Sequence, residues 1–171
     1  MYCGKESSLT GETAGARTRV RIWIDADACP KTIREIVYRA SKRLRIPVTL
    51  VADRVMSTPD TSLITSVQVE PGFNVADGHI VQNTCAGDLV ITADIPLAAE
   101  IVRKGATGLD PRGHMYTENN IGERLATRDL LQELRSGGLT LGGPPPLDGS
   151  ERKRFAAALD RWLTKRLKDG S

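Results

Sequence analysis

Cysteine is scarce in this chain: Cys3, Cys29 and Cys85 are odd in number and show no CxxC spacing. That pattern indicates neither a disulfide framework nor a zinc cluster, and it suits a reducing cytosol. Aromatic residues make up only 4% of the chain, which gives weak support to a platform for stacking bases. No apolar run approaches the roughly 18 residues that a spanning helix needs, and the first residues lack the apolar core of a signal peptide. A soluble, cytoplasmic protein with no membrane partner is expected. No repeat of fixed period is found either, which excludes a solenoid or propeller.

What remains is a chain of 171 residues with a net charge of +3, a length suited to one domain with a real core. The mild positive charge permits a phosphate-bearing partner without demanding one. Residues 1–18 are polar and rich in Gly, Ser and Thr, and read as a mobile extension. Residues 19–141 carry the pattern of an α/β domain. Residues 142–171 read as a Pro/Gly connector followed by a C-terminal packing helix, expected as an appendage.

Two stretches dominate the α/β pattern. Val20 to Ile24 is β-branched and aromatic, ends in Asp25 and Asp27, and meets Pro30 before the helical spacing of Ile33, Ile36, Val37, Ala40 and Leu44. Leu89 to Ala93 repeats that layout, ending in Asp94 and Pro96 before a helix over 97–104. Between them lie a strand over 48–52, a loop over 53–61, a short strand over 66–70 and a short helix around Asp77. After them come an edge strand over 106–109, a loop over 110–118, and a helix opened by Asn120 with Glu123 as a capping box. The expected fold is a three-layer α/β domain whose mainly parallel sheet is flanked by helices.

Ligands of open parallel sheets bind beyond the carboxyl ends of strands, so Asp25 and Asp94 stand where a site is expected. Asp27 follows two residues after Asp25 and can share its direction, and Asp77 opens a helix. Clustered carboxylates repel unless a cation neutralises them, and oxygen donors of this kind suit Mg²⁺ or Mn²⁺. Such an ion activates water and stabilises an in-line displacement at a phosphodiester. Asp25, Asp77 and Asp94 are the candidate metal ligands, with Asp27 completing the catalytic set. Thr92 and Arg112 are candidates for orienting phosphate. Capping competes with chemistry at Asp27 and Asp77, and Asp88, preceding its strand, reads as a turn residue.

The stretches IDADACP, GFNVADGHIV and GDLVITADIPLA, followed by DPRG, NNIGERLATRDLLQELR and GGPPP, resemble the YaiI/YqxD family of bacterial proteins, which is grouped with PIN-like domains. The resemblance runs from about Arg21 to the final helix. It implies a PIN-like fold and metal-dependent hydrolysis of RNA, with Asp25, Asp77 and Asp94 in the places of the acids after the first strand, in a central helix and after the fourth strand. RNA is the partner it implies. Asn74 stands where the family usually has aspartate in GF-x-x-AD, and the glutamate common in PIN domains has no counterpart.

Two other classes fit parts of the pattern. In a haloacid-dehalogenase-like phosphatase Asp25 would attack phosphorus and Asp27 would protonate the leaving oxygen, but Cys29 replaces the usual Thr or Val. In a non-catalytic nucleic-acid-binding module Lys104, Arg112, Arg124 and Arg128 would hold phosphate while Phe73 or Tyr116 stacks on a base. Cys29 itself reads as a small buried residue, because the C-x₅-R spacing of thiol phosphatases is absent.

Overall fold

The computed structural model describes residues 20–170; the extension expected over residues 1–18 lies outside them. In chain order the elements are β1 (Ile22–Asp25), α1 (Lys31–Leu44), β2 (Val48–Ala52), β3 (Ile64–Gln68), α2 (Val75–Asn83), β4 (Leu89–Ile91), α3 (Ile95–Arg103), β5 (Thr107–Leu109), β6 (Met115–Tyr116), α4 (Ile121–Ser136) and α5 (Gly149–Asp169). The strands form one sheet in the order β3-β2-β1-β4-β5-β6. All pairings are parallel except that of β5 with β6.

The apolar runs explain this layout. All four residues of β1 are buried, as a strand covered on both faces requires. Alternation sends Ile22 and Ile24 to one face, where they meet α1 and α5, and Trp23 to the other, where it meets α2 and α3. Helices therefore cover both sides of the sheet, and the three-layer α/β expectation holds.

The C-terminal helix is more than the appendage expected. Phe155 is fully buried, and Leu159 and Leu163 join it against Ile33, Val37 and the sheet. Gly113, in the DPRG loop, lets this helix approach: it has φ +93°, and a Cβ there would lie 2.8 Å from the backbone of Phe155. Arg112 fastens the same contact through a 2.5 Å ion pair to Glu151 and a hydrogen bond to the Pro145 carbonyl.

Several local expectations need correction. The third strand starts two residues earlier than its apolar alternation suggests, because Val48 N–H is already bonded to Leu63 C=O. Met115 and Tyr116, expected in a loop, pair antiparallel with β5. Asn120 caps nothing; its side chain accepts from Thr117 N–H and donates to Met115 C=O, bracing that turn. The capping box lies instead at Asp148 and Glu151, opening α5. Cys85 is disulfide-bonded, where no disulfide framework was indicated.

Phe155→Ala removes a fully buried ring from the junction of α5, α1 and the sheet. Urea denaturation is expected to show a loss of about 3 to 5 kcal/mol, the cost of an aromatic cavity. A loss under about 1 kcal/mol, typical of an exposed site, would mean that α5 is not part of the core.

Candidate acidic site at the switch point

Strand order reverses between β1 and β4: β2 and β3 lie on one side of β1, while β4, β5 and β6 lie on the other. The carboxyl ends of two adjacent parallel strands thus diverge into loops running to opposite faces, which leaves a crevice at the edge. Asp25 ends β1, and Thr92 and Asp94 follow β4. Ile24 is paired with Ile91, so Asp25 and Thr92 come level and lie on the α2/α3 face by alternation with Trp23 and Val90.

Two carboxylates are buried among the described residues, Asp25 and Asp88, and their surroundings differ sharply. Asp88 sits at the opposite end of β4 and accepts from Arg21 N–H (3.3 Å), Trp23 Nε1 (3.1 Å) and Cys85 N–H (3.0 Å), with Arg21 also ion-paired to it at 3.3 Å. It is a satisfied structural group, in line with its reading as a turn residue. Asp25 is 7% exposed and has one hydrogen bond, from Thr92 Oγ1 at 3.1 Å. Burial pushes its pKa up to about 6, the negative charge of Asp77 adds to the rise, the Thr92 bond opposes it, and Asp94 and Asp27 add more.

The neighbours are positioned by local structure. Asp94 caps α3, accepting from Leu97 N–H at 2.9 Å, and its own N–H donates to Thr92 Oγ1. Thr92 therefore links the two acids. Asp77 lies in the first turn of α2 but caps nothing, since the residue before the helix is Asn74, in left-handed conformation at φ 61°. Burial and the charges of Asp94 and Glu100 raise the Asp77 pKa.

Asp27 also leaves α1 uncapped. Its Oδ2 accepts from Asp53 N–H at 2.9 Å and its Oδ1 lies 3.6 Å from Arg54, so it ties β1 to the loop after β2. Asp25, Asp27, Asp77, Asp94 and Thr92 are thus brought to one edge. Arg112 is not brought to them, its guanidinium being taken up by Glu151 and Pro145.

A cleft of about 270 Å³ opens beside these acids between α2 and α3, lined among others by Phe73, Asp77, Asp94, Glu100 and Arg128. Phe73 is 94% exposed. Glu100 is not among the acids that the strand ends single out in the sequence. The helical spacing of Pro96 and Glu100, opposite the buried Leu97, Ala98, Ile101 and Val102, marks it as facing away from the core. Cys29 is buried and its thiol is pushed up to about 12, chiefly by desolvation, as a small packing residue requires.

The donor set of carboxylate and hydroxyl oxygens matches Mg²⁺ or Mn²⁺ in chemistry. Among the described residues, however, no three His, Cys, Asp or Glu side chains are grouped tightly enough to hold a metal ion. Also among them, no helix is long and apolar enough to cross a membrane.

Fold and site together define an α/β domain with an acidic cluster at the switch point of a mainly parallel sheet. Residues 23–165 match the model of a family described as "Uncharacterized BCR, YaiI/YqxD family". A UPF0178 protein of Citrifermentans bemidjiense is 59% identical over 150 residues, covering 88% of this chain and 97% of that one. Similar proteins of the same designation occur in Geobacter sulfurreducens, 54% identical over 87% of this chain and 99% of that one, and in Klebsiella pneumoniae, 53% identical over 83% and 93%. The chain belongs to the YaiI/YqxD family. No solved structure matches it.

The state of Asp25 has a consequence for stability. An unfolded aspartate ionises near 3.8 and the folded one near 6, so between those values the folded chain keeps a proton that the unfolded chain releases. Stability in chelator-treated buffer should fall as pH rises through this window, by about 2 to 3 kcal/mol when complete. Asp25→Asn abolishes that loss: its urea midpoint should exceed the wild type's at pH 8 and match it at pH 3.5. Parallel pH profiles for the two proteins would contradict the burial argument.

Proposed function

We propose that this protein is a metal-dependent phosphodiesterase acting on RNA, with Asp25, Asp77 and Asp94 as ligands of Mg²⁺ or Mn²⁺. The observation that carries this reading is the contrast between the two buried carboxylates. Asp88 is met by three N–H donors and a guanidinium, whereas Asp25 has a single hydroxyl and is surrounded by further negative charge. A buried acid left so poorly compensated costs free energy that a cation would recover.

When bound, such an ion would supply an activated water and charge neutralisation at the phosphate. The residues of the chain do the rest. Thr92 holds Asp25 through its hydroxyl and receives the Asp94 N–H, so the two acids keep their relative placement. One oxygen of Asp94 is fixed by the helix cap, leaving the other for a ligand. Asp27 is held by Asp53 and Arg54 at the rim, where it can hold a water. Arg128 stands at the cleft to meet a phosphate, and the exposed Phe73 offers a face for a base. The resemblance to PIN-like domains supports RNA as the substrate.

The deciding measurement is Mn²⁺ titration by calorimetry of wild type, Asp25→Asn and Asp94→Asn, followed by incubation with single-stranded RNA, single-stranded DNA and a phosphomonoester. Each variant should bind Mn²⁺ at least about tenfold more weakly, the cost of one charged ligand, and RNA should be cleaved by wild type alone. Equal Mn²⁺ binding by all three proteins would end the shared-site reading. Turnover of the phosphomonoester alone would favour the haloacid-dehalogenase-like reading. RNA bound with Mn²⁺ present by wild type and Asp25→Asn alike, and cleaved by neither, would favour the non-catalytic module.

A further inference from the structure

The basic face of α1 is not merely a solvated helix face. With the loop that follows β2 it encloses a cavity of about 680 Å³, lined by Lys31, Arg34, Tyr38, Arg54 and Met56 among others. Three cationic groups meet there against one carboxylate in the wall, Glu35.

Their pairing is incomplete. Among the described residues, Arg34 Nε and Tyr38 Oη are buried and have no hydrogen-bond partner, and the guanidinium of Arg34 reaches only Met56 Sδ, at 4.0 Å. Neither Lys31 nor Arg34 is ion-paired among the described residues, and Arg54 has only its 3.6 Å approach to Asp27, half in solvent. Buried donors are normally satisfied, and the half-buried Arg34 guanidinium carries a charge with no carboxylate against it. An anion placed in the cavity would meet the Lys31 ammonium and the outer edge of the Arg34 guanidinium, while Met56 and the exposed Val55 offer an apolar wall.

We propose that this cavity is a nucleotide-binding subsite, taking a phosphate on Arg34 and Lys31 and the adjoining base or sugar against Met56 and Val55. Arg54 bridges it to the acidic edge through Asp27, so a nucleotide held here belongs beside the acids, on the opposite face of the sheet. The assignment deepens the reading of the acidic edge, and rests on it only for the choice of a nucleotide among phosphate esters.

The test is binding in the presence of chelator, so that the acidic edge takes no part. Fluorescence anisotropy follows a labelled short single-stranded RNA, with adenosine monophosphate and inorganic phosphate as competitors. Wild type, Lys31→Ala, Arg34→Gln, Tyr38→Phe and Asp25→Asn are compared, Lys31 being exposed and unpaired so that its removal cannot disturb the fold. Lys31→Ala and Arg34→Gln should each weaken RNA binding about tenfold and flatten its salt dependence, with Tyr38→Phe and Asp25→Asn without loss. Competition by the mononucleotide would assign the pocket to a single nucleotide, and competition by unlabelled strand alone to a nucleotide within a strand; either supports the assignment. Competition by inorganic phosphate equal to that by the mononucleotide overturns the apolar half of it. Binding unchanged by Lys31→Ala and Arg34→Gln overturns it altogether, and does so even where Mn²⁺-dependent cleavage is intact. Loss of binding in those variants with no cleavage by wild type would leave the pocket standing and remove the phosphodiesterase.

Discussion

β1 has no free edge and no free face: β2 and β4 flank it in parallel, and helices cover it above and below. A four-residue strand so enclosed must be apolar, yet its last residue is an aspartate, and this is the constraint on which the acidic edge depends. The Asp25 carboxyl group is held within these layers, desolvated, raised in pKa and bound to one hydroxyl. The parallel pairing of Ile24 with Ile91 then decides which residues can reach it. Thr92 and Asp94 do so because β4 ends level with β1, and Asp77 because α2 descends over the same face.

Much of this was legible in the chain, because the signals were local. The apolar runs closing on Asp25 and Asp94 gave two central strands and their polarity, and proline before or within each following helix marked where the strands ended. The weak points were residues whose partners are distant. Nothing near Arg112 announces Glu151, thirty-nine positions away, and nothing near Asn120 shows that its amide is needed by Thr117 and Met115 rather than by a helix. Capping competed with chemistry at Asp27 because it precedes α1, and what its carboxylate meets instead, the Asp53 N–H, lies across the sheet edge. The two-residue β6 is too short to carry a period of its own.

Charge is segregated by the sheet. On the α2/α3 face the edge collects Asp25, Asp77, Asp94 and Glu100, while on the α1 face Lys31, Arg34 and Arg54 face a cavity. Asp27 and Arg54 stand between the two groups. A polyanion crossing that rim would meet repulsion on one side, relieved only by a cation, and attraction on the other. This asymmetry is compatible with a modest overall charge of +3, which by itself conveys none of it.

The placement of α5 has a bearing on how the chain is made. Its ring at Phe155 closes the layer over Ile24 and Ile33, although those residues emerge from the ribosome well over a hundred positions earlier. Until the final helix is synthesised, that side of the nascent sheet has α1 alone over it and the apolar surface meant for α5 stays open, a natural target for chaperones. A chain cut short before that helix would therefore lack the ring and leucines that close this layer.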